Sequence, residues 1–197
     1  KDMLALEWRY RWGFSSATLI DAFASPNRRG VAARLEKRKI ITGWPCEAAG
    51  GIPGIPQQVF TLARHGVEEI ECQLTEDHLL GYPRDSYKVI NWNQLRHDLL
   101  IQKFTIDRIQ KGIIDGFQTP REIERQSKPE QKQPDVVWLS PNFGKIAVEL
   151  ELTIKHGRQL DQAILAVLKC VKPAKTTADG YQTDPGGPYD EVWYLCG

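Results

Sequence analysis

The chain has 197 residues, of which 41% are hydrophobic and 26% charged, with a formal net charge of +1. This is long enough for one large or two small domains, each able to bury a core, and two are expected. No apolar run approaches the ~18 residues of a membrane span, so a transmembrane helix is excluded.

Lys1-Asp2-Met3 leads into a charged, aromatic segment, so no signal peptide is expected. Cys46, Cys72, Cys170 and Cys196 lie far apart with no C-x-x-C spacing. Neither a zinc ligand set nor a disulfide framework is indicated, and the cytoplasm is the expected compartment. The small net charge hides a local excess. Arg28, Arg29, Arg34, Lys37, Arg38 and Lys39 fall within twelve residues, opposed only by Glu36. Such a block points to a polyanion, although a solvated helix face carries the same pattern.

Met3, Leu4, Leu6, Trp8 and Trp12 can supply a first helix. Ser15-Ser16 then signals a helix start, with Leu19, Ile20 and Phe23 at helical spacing and an end near Ala24. Ser25-Pro26 offers a second N-cap with proline at the first helical position. Val31, Ala32 and Leu35 give that second helix a buried stripe while its cations face outward. Two short helices around a tight turn, the second one basic, are the skeleton of a helix-turn-helix. A Gly/Pro-rich stretch from Thr42 to Pro56, the strand-like run Gln58 to Leu62 and a helix start at Val67 complete the layout of a winged helix over residues 1–75. The six cations would then contact DNA phosphates, a salt-dependent term that reads little sequence.

Tyr82-Pro83-Arg84-Asp85-Ser86 is turn-rich and is read as a linker to a second domain, residues 85–197. Trp92 to Lys111 reads as a long amphipathic helix capped by Asn91 or Asn93, and Ile113 to Ile123 is partly strand-like. After a polar stretch, Asp135 to Ser140 and Lys145 to Leu152 read as a hairpin turning at Pro141-Asn142-Phe143-Gly144. His156-Gly157 precedes another helix, and Glu191 to Leu195 is the final strand. The expected class is α+β: a winged helix followed by a mixed sheet flanked by helices.

The chemistry is expected in the hairpin. Alternation places Lys145, Ala147, Glu149 and Glu151 on one strand face and Ile146, Val148, Leu150 and Leu152 on the other. A register with Asp135 opposite Glu149 or Glu151 brings three carboxylates together. Clustered carboxylates repel, and a hard cation such as Mg2+ or Mn2+ is the usual remedy. An acidic pair on a solvated strand edge needs no metal and is the ordinary alternative. His97 is a second candidate, as a phosphate contact or proton carrier, set against a packed histidine beside Leu95, Leu99 and Leu100.

Helix, three strands, helix, strand, with an Asp preceded by Pro on the second strand and E-x-E on the third, resembles the PD-(D/E)XK restriction-endonuclease-like core. With the N-terminal winged helix and His97-Asp98-Leu99, the chain resembles the replication-relaxation family, which includes MobC-type plasmid relaxases. The resemblance implies DNA nicking at a transfer origin by a metal site on Asp135, Glu149 and Glu151. It also implies accessory mobilisation proteins and a coupling protein as partners. Where the common signature has Lys, position 151 holds Glu. Lys145 and Lys155 are the candidates to replace its charge, and either could be a plain surface lysine. A DNA-binding regulator with an inactive nuclease-like domain is the competing reading, and a restriction or repair nuclease a third.

Overall fold

The computed structural model describes residues 1–26, 29–47, 54–126, 133–153, 156–171, 175–176, 182–184 and 187–196. Helices combine with two principal sheets in an α+β arrangement, and the chain divides into two compact units, Lys1–Asp107 and Arg108–Gly197. Among the described residues no helix is long and apolar enough to cross a membrane.

In the first unit, α1 (Asp2–Trp12) begins with an acid and ends with Arg9 and Arg11, which suits the helix dipole. Gly13, at φ 86°, stops it and returns its N–H to the Arg9 carbonyl at 2.7 Å. A strand not foreseen in the sequence, β1 (Phe14–Ser16), follows at once. Ser16 caps α2 (Ala17–Ala24) by accepting the Leu19 N–H at 3.3 Å, the expected start.

The next helix departs from expectation. Ser25 closes α2 by donating to the Asp21 carbonyl, and α3 (Val31–Lys37) begins only after Gly30. The cap comes from a distance: the Asp21 carboxylate accepts the N–H groups of Gly30 at 2.7 Å, Val31 at 2.8 Å and Ala32 at 3.4 Å. A carboxylate gathering the first amides of a helix outcompetes the local Ser25-Pro26 signal.

β2 (Ile41–Pro45) and β3 (Gln58–Leu62) complete an antiparallel sheet in the order β1-β3-β2. The Gly/Pro-rich stretch that begins at Thr42 is thus strand as far as Pro45. α4 (Arg64–Glu71) starts before the expected Val67 and places Gly66 against the Ile40 carbonyl, too close for any side chain. Leu6, Tyr10, Ile20, Leu35, Phe60 and Leu62 form the centre of this unit's core.

Tyr82, read as linker, is buried in the same core. Its hydroxyl donates to the Gly13 carbonyl and accepts the Leu62 N–H at 3.1 Å. Turn-forming neighbours hid an aromatic anchor. A buried polar cluster ties α5 (Leu95–Gln110) to this unit: the Trp8 indole donates to Ser15 and to Gln102, each at 3.2 Å, and Gln102 donates to the Phe14 carbonyl at 3.0 Å.

The second unit is built on the sheet β4-β5-β6-β9, from β4 (Gly116–Gln118), β5 (Val136–Ser140), β6 (Gly144–Glu151) and β9 (Glu191–Cys196). The first three strands run antiparallel and β9 lies parallel to β6. Between β4 and β5 lies α6 (Pro120–Gln126), unforeseen within the partly strand-like stretch. Thr119 and Glu122 cap it: the Glu122 carboxylate accepts the Thr119 N–H at 2.7 Å, with Pro120 as first helical residue. α7 (Arg158–Cys170) follows β6, and a short hairpin of β7 (Lys175–Thr176) and β8 (Gln182–Asp184) precedes β9. Val136, Trp138, Ile146 and Val148 are fully buried, and Trp138 meets Trp193 edge-on at 6.0 Å.

Candidate functional site

β6 carries the acids, and its two ends explain their placement. At its start Gly144, at φ 69°, opens the turn and lies so close to the Asp190 carboxylate that a side chain there would collide with it. Asp190 accepts the Lys145 N–H at 2.8 Å and donates its own N–H to the Lys145 carbonyl at 2.9 Å. That double link sets the parallel register, with Glu149 paired to Tyr194 and Glu151 to Cys196.

Asp135 is held directly across from Glu149. Its N–H donates to the Val148 carbonyl at 3.0 Å, and its carboxylate accepts the Leu150 N–H at 2.7 Å. The two bonds bracket Glu149. They also explain why β5 starts at Val136 and not at the expected Asp135: a side chain has taken the ladder position of a backbone carbonyl. Glu149 and Glu151 are half-buried and share a strand face by alternation. Glu151 accepts from Thr153 through both the hydroxyl, at 2.8 Å, and the N–H, at 3.3 Å. All three candidates offer hard oxygen donors, the type suited to Mg2+ or Mn2+. Among the described residues, no group of three or more His, Cys, Asp or Glu side chains is arranged to hold an ion.

Lys145 is exposed on the same strand face as the two glutamates, whereas Lys155 lies outside the described residues. His97 belongs to the first unit, on α5, with Nδ1 3.2 Å from the Asp98 carboxylate. Tyr194, 41% exposed, was not singled out in the sequence, and the pairing places it beside Glu149. Only the parallel strand pairing reveals it, because Tyr194 lies more than forty residues from the hairpin.

The basic block is less uniform than its sequence. Arg29, Arg34, Lys37, Arg38 and Lys39 are exposed, and Arg28 lies outside the described residues. Arg34 and Arg38 grip Asp2 at 2.5 and 2.8 Å. The Arg34 hydrogen bond holds the Asp2 carboxyl below its ordinary value, against the opposing effect of burial. Lys39 occupies the left-handed region at φ 57°, where the chain turns out of α3 towards β2.

No family model, no curated protein and no solved structure matches this chain.

Proposed function

We propose that the chain is a metal-dependent DNA-nicking relaxase acting at the transfer origin of a plasmid or conjugative element. One observation carries the reading: Asp135 is fastened on both sides of Glu149, with Glu151 on the same strand face two residues on. The order α1-β1-α2-α3-β2-β3 supports a winged helix in residues 1–75, with α3 as the helix offered to the major groove. The mixed sheet β4-β5-β6-β9, with α7 between β6 and β9 in chain order, supports a PD-(D/E)XK-like core within residues 85–197.

Asp135 and Glu149 are the ligands for Mg2+ or Mn2+ in this reading, with Glu151 as third ligand or as the base that orients water. A bound cation would supply charge to the scissile phosphate and acidify its water. Glu151 must then exchange its Thr153 bonds for that role, and the exposed cations around α3 hold the duplex backbone. In this reading His97 is a phosphate contact of the first unit, Lys155 a further catalytic candidate of the second, and mobilisation and coupling proteins are the partners.

A specific observation favours a second reading, a DNA-binding regulator whose nuclease-like unit is inactive: Glu151 stands where the common signature has lysine, and it is already engaged with Thr153. Supercoiled plasmid carrying the cognate origin, incubated with protein and Mg2+ or Mn2+, separates the readings. Open circles are the result expected of a relaxase. A gel shift without cleavage supports the regulator, and linear product a restriction or repair nuclease.

A further inference from the structure

The first unit contains a pocket of about 400 Å³ lined by Trp44, Pro45, Cys46, Glu47, Ile55, Tyr87, Trp92 and Leu95. That volume falls in the range of small-molecule sites, roughly 300–1,000 Å³. Its walls are aromatic. Tyr87 meets Trp44 edge-on at 5.2 Å and lies tilted against Trp92 at 5.8 Å, yet remains 45% exposed. The wall is held in place from behind: the Trp44 indole donates to the Thr61 hydroxyl at 2.9 Å, which donates in turn to the Ser86 hydroxyl at 3.0 Å. β2, β3 and the turn carrying Tyr87 are thereby fixed together.

The polar groups narrow the choice of ligand. Burial pushes the Cys46 thiol up, so it stays neutral, and Glu47 is the one charged residue among the described residues that line the pocket. The Trp92 indole N–H is shielded from water with no acceptor among the described residues. Exposed Arg96 directly follows Leu95 of the lining, and its side chain is the nearest neighbour that a Cβ on Gly54, the residue before Ile55, would meet, at 3.9 Å. An aromatic floor alone would also suit an organic cation. A guanidinium beside the lining opposes one and favours a ligand that is flat inside and anionic outside.

We propose that this pocket receives one unstacked nucleobase of single-stranded DNA. The base stacks on Tyr87 and the tryptophans, Glu47 accepts from an exocyclic amino group, and Arg96 takes the neighbouring phosphate. This rests on the DNA reading of the first unit and goes beyond it, because duplex held on α3 presents no such base. A strand-nicking protein encounters one wherever the duplex opens.

The test compares binding of a single-stranded oligodeoxycytidylate with a fully abasic strand of equal length, read by fluorescence anisotropy on the full chain. The base-bearing strand is expected to bind about tenfold more tightly, the scale set by stacking one base. Tyr87→Ala should erase that preference. Trp92→Phe, which keeps a ring and removes only the N–H, should reduce it, and Glu47→Ala, which removes the acceptor, should remove any advantage of oligodeoxycytidylate over oligodeoxythymidylate. Equal binding of the base-bearing and abasic strands, or a preference that survives both Tyr87→Ala and Trp92→Phe, would overturn the proposal. A duplex gel shift run in parallel keeps the two ideas apart: duplex binding without base preference sinks the pocket alone, and no binding of either DNA sinks the DNA reading as well.

Discussion

Arg9 shows at the scale of one residue how far this chain departs from a simple core. It is fully buried on α1, and none of its three side-chain nitrogens has a hydrogen-bond partner among the described residues. Burial lowers its pKa to about 9, with Tyr82 and Asp21 opposing the shift. Because the unfolded chain holds this proton more tightly, the charge costs stability below about pH 9, and the cost is relieved as pH rises above it. Replacing buried ionic groups by packed apolar ones is typically neutral or stabilising by about 1–4 kcal/mol. Arg9→Met should therefore raise the thermal midpoint at pH 7, by an amount that shrinks above pH 9. A midpoint lowered by several degrees would mean that Arg9 does have a compensating partner. Asp2 makes the opposite case, since it occupies two of the cations assigned to DNA. Asp2→Asn should tighten duplex binding at low salt and steepen the salt dependence by up to about two phosphate contacts. An unchanged slope would show that Arg34 and Arg38 do not touch phosphate.

Elements were legible where local signals act alone. Ser16 as the cap of α2, the limits of β3 and the turn between β5 and β6 follow from residues that sit beside each other. They were missed where a distant side chain decides. Nothing near Val31 announces that Asp21 will cap α3, and nothing in Tyr82-Pro83-Arg84-Asp85-Ser86 announces that Tyr82 will bond to Gly13 and Leu62. α6 is a different lesson, because Thr119-Pro120-Arg121-Glu122 carries a local capping box that the strand-like apolar residues around it obscured. In the candidate site, the hairpin and the shared face of Glu149 and Glu151 could be read by alternation. The Asp135 clamp and the pairing of Tyr194 with Glu149 could not, since they depend on backbone bonds between strands. The Asp21 cap is open to a direct check. Asp21→Ala removes acceptors from three amides and should cost about 1–3 kcal/mol. Denaturant unfolding gives that cost, and hydrogen exchange should show the loss of protection concentrated at the start of α3. Unchanged stability would mean that water replaces the carboxylate without loss.

For the whole molecule, the proposed function divides labour between two units. The first brings cations and an aromatic pocket, and the second brings the carboxylates of one hairpin. Everything functional in it depends on those carboxylates cutting a phosphodiester with a divalent cation. The most direct measurement is conversion of cognate supercoiled plasmid to open circles by wild type and by Glu149→Ala, with duplex binding measured on the same preparations. The account predicts nicking by wild type that EDTA abolishes, and a variant that binds duplex as tightly while losing at least about a hundredfold in rate, the scale of a lost metal or general-base role. Nicking that survives both EDTA and Glu149→Ala would contradict it.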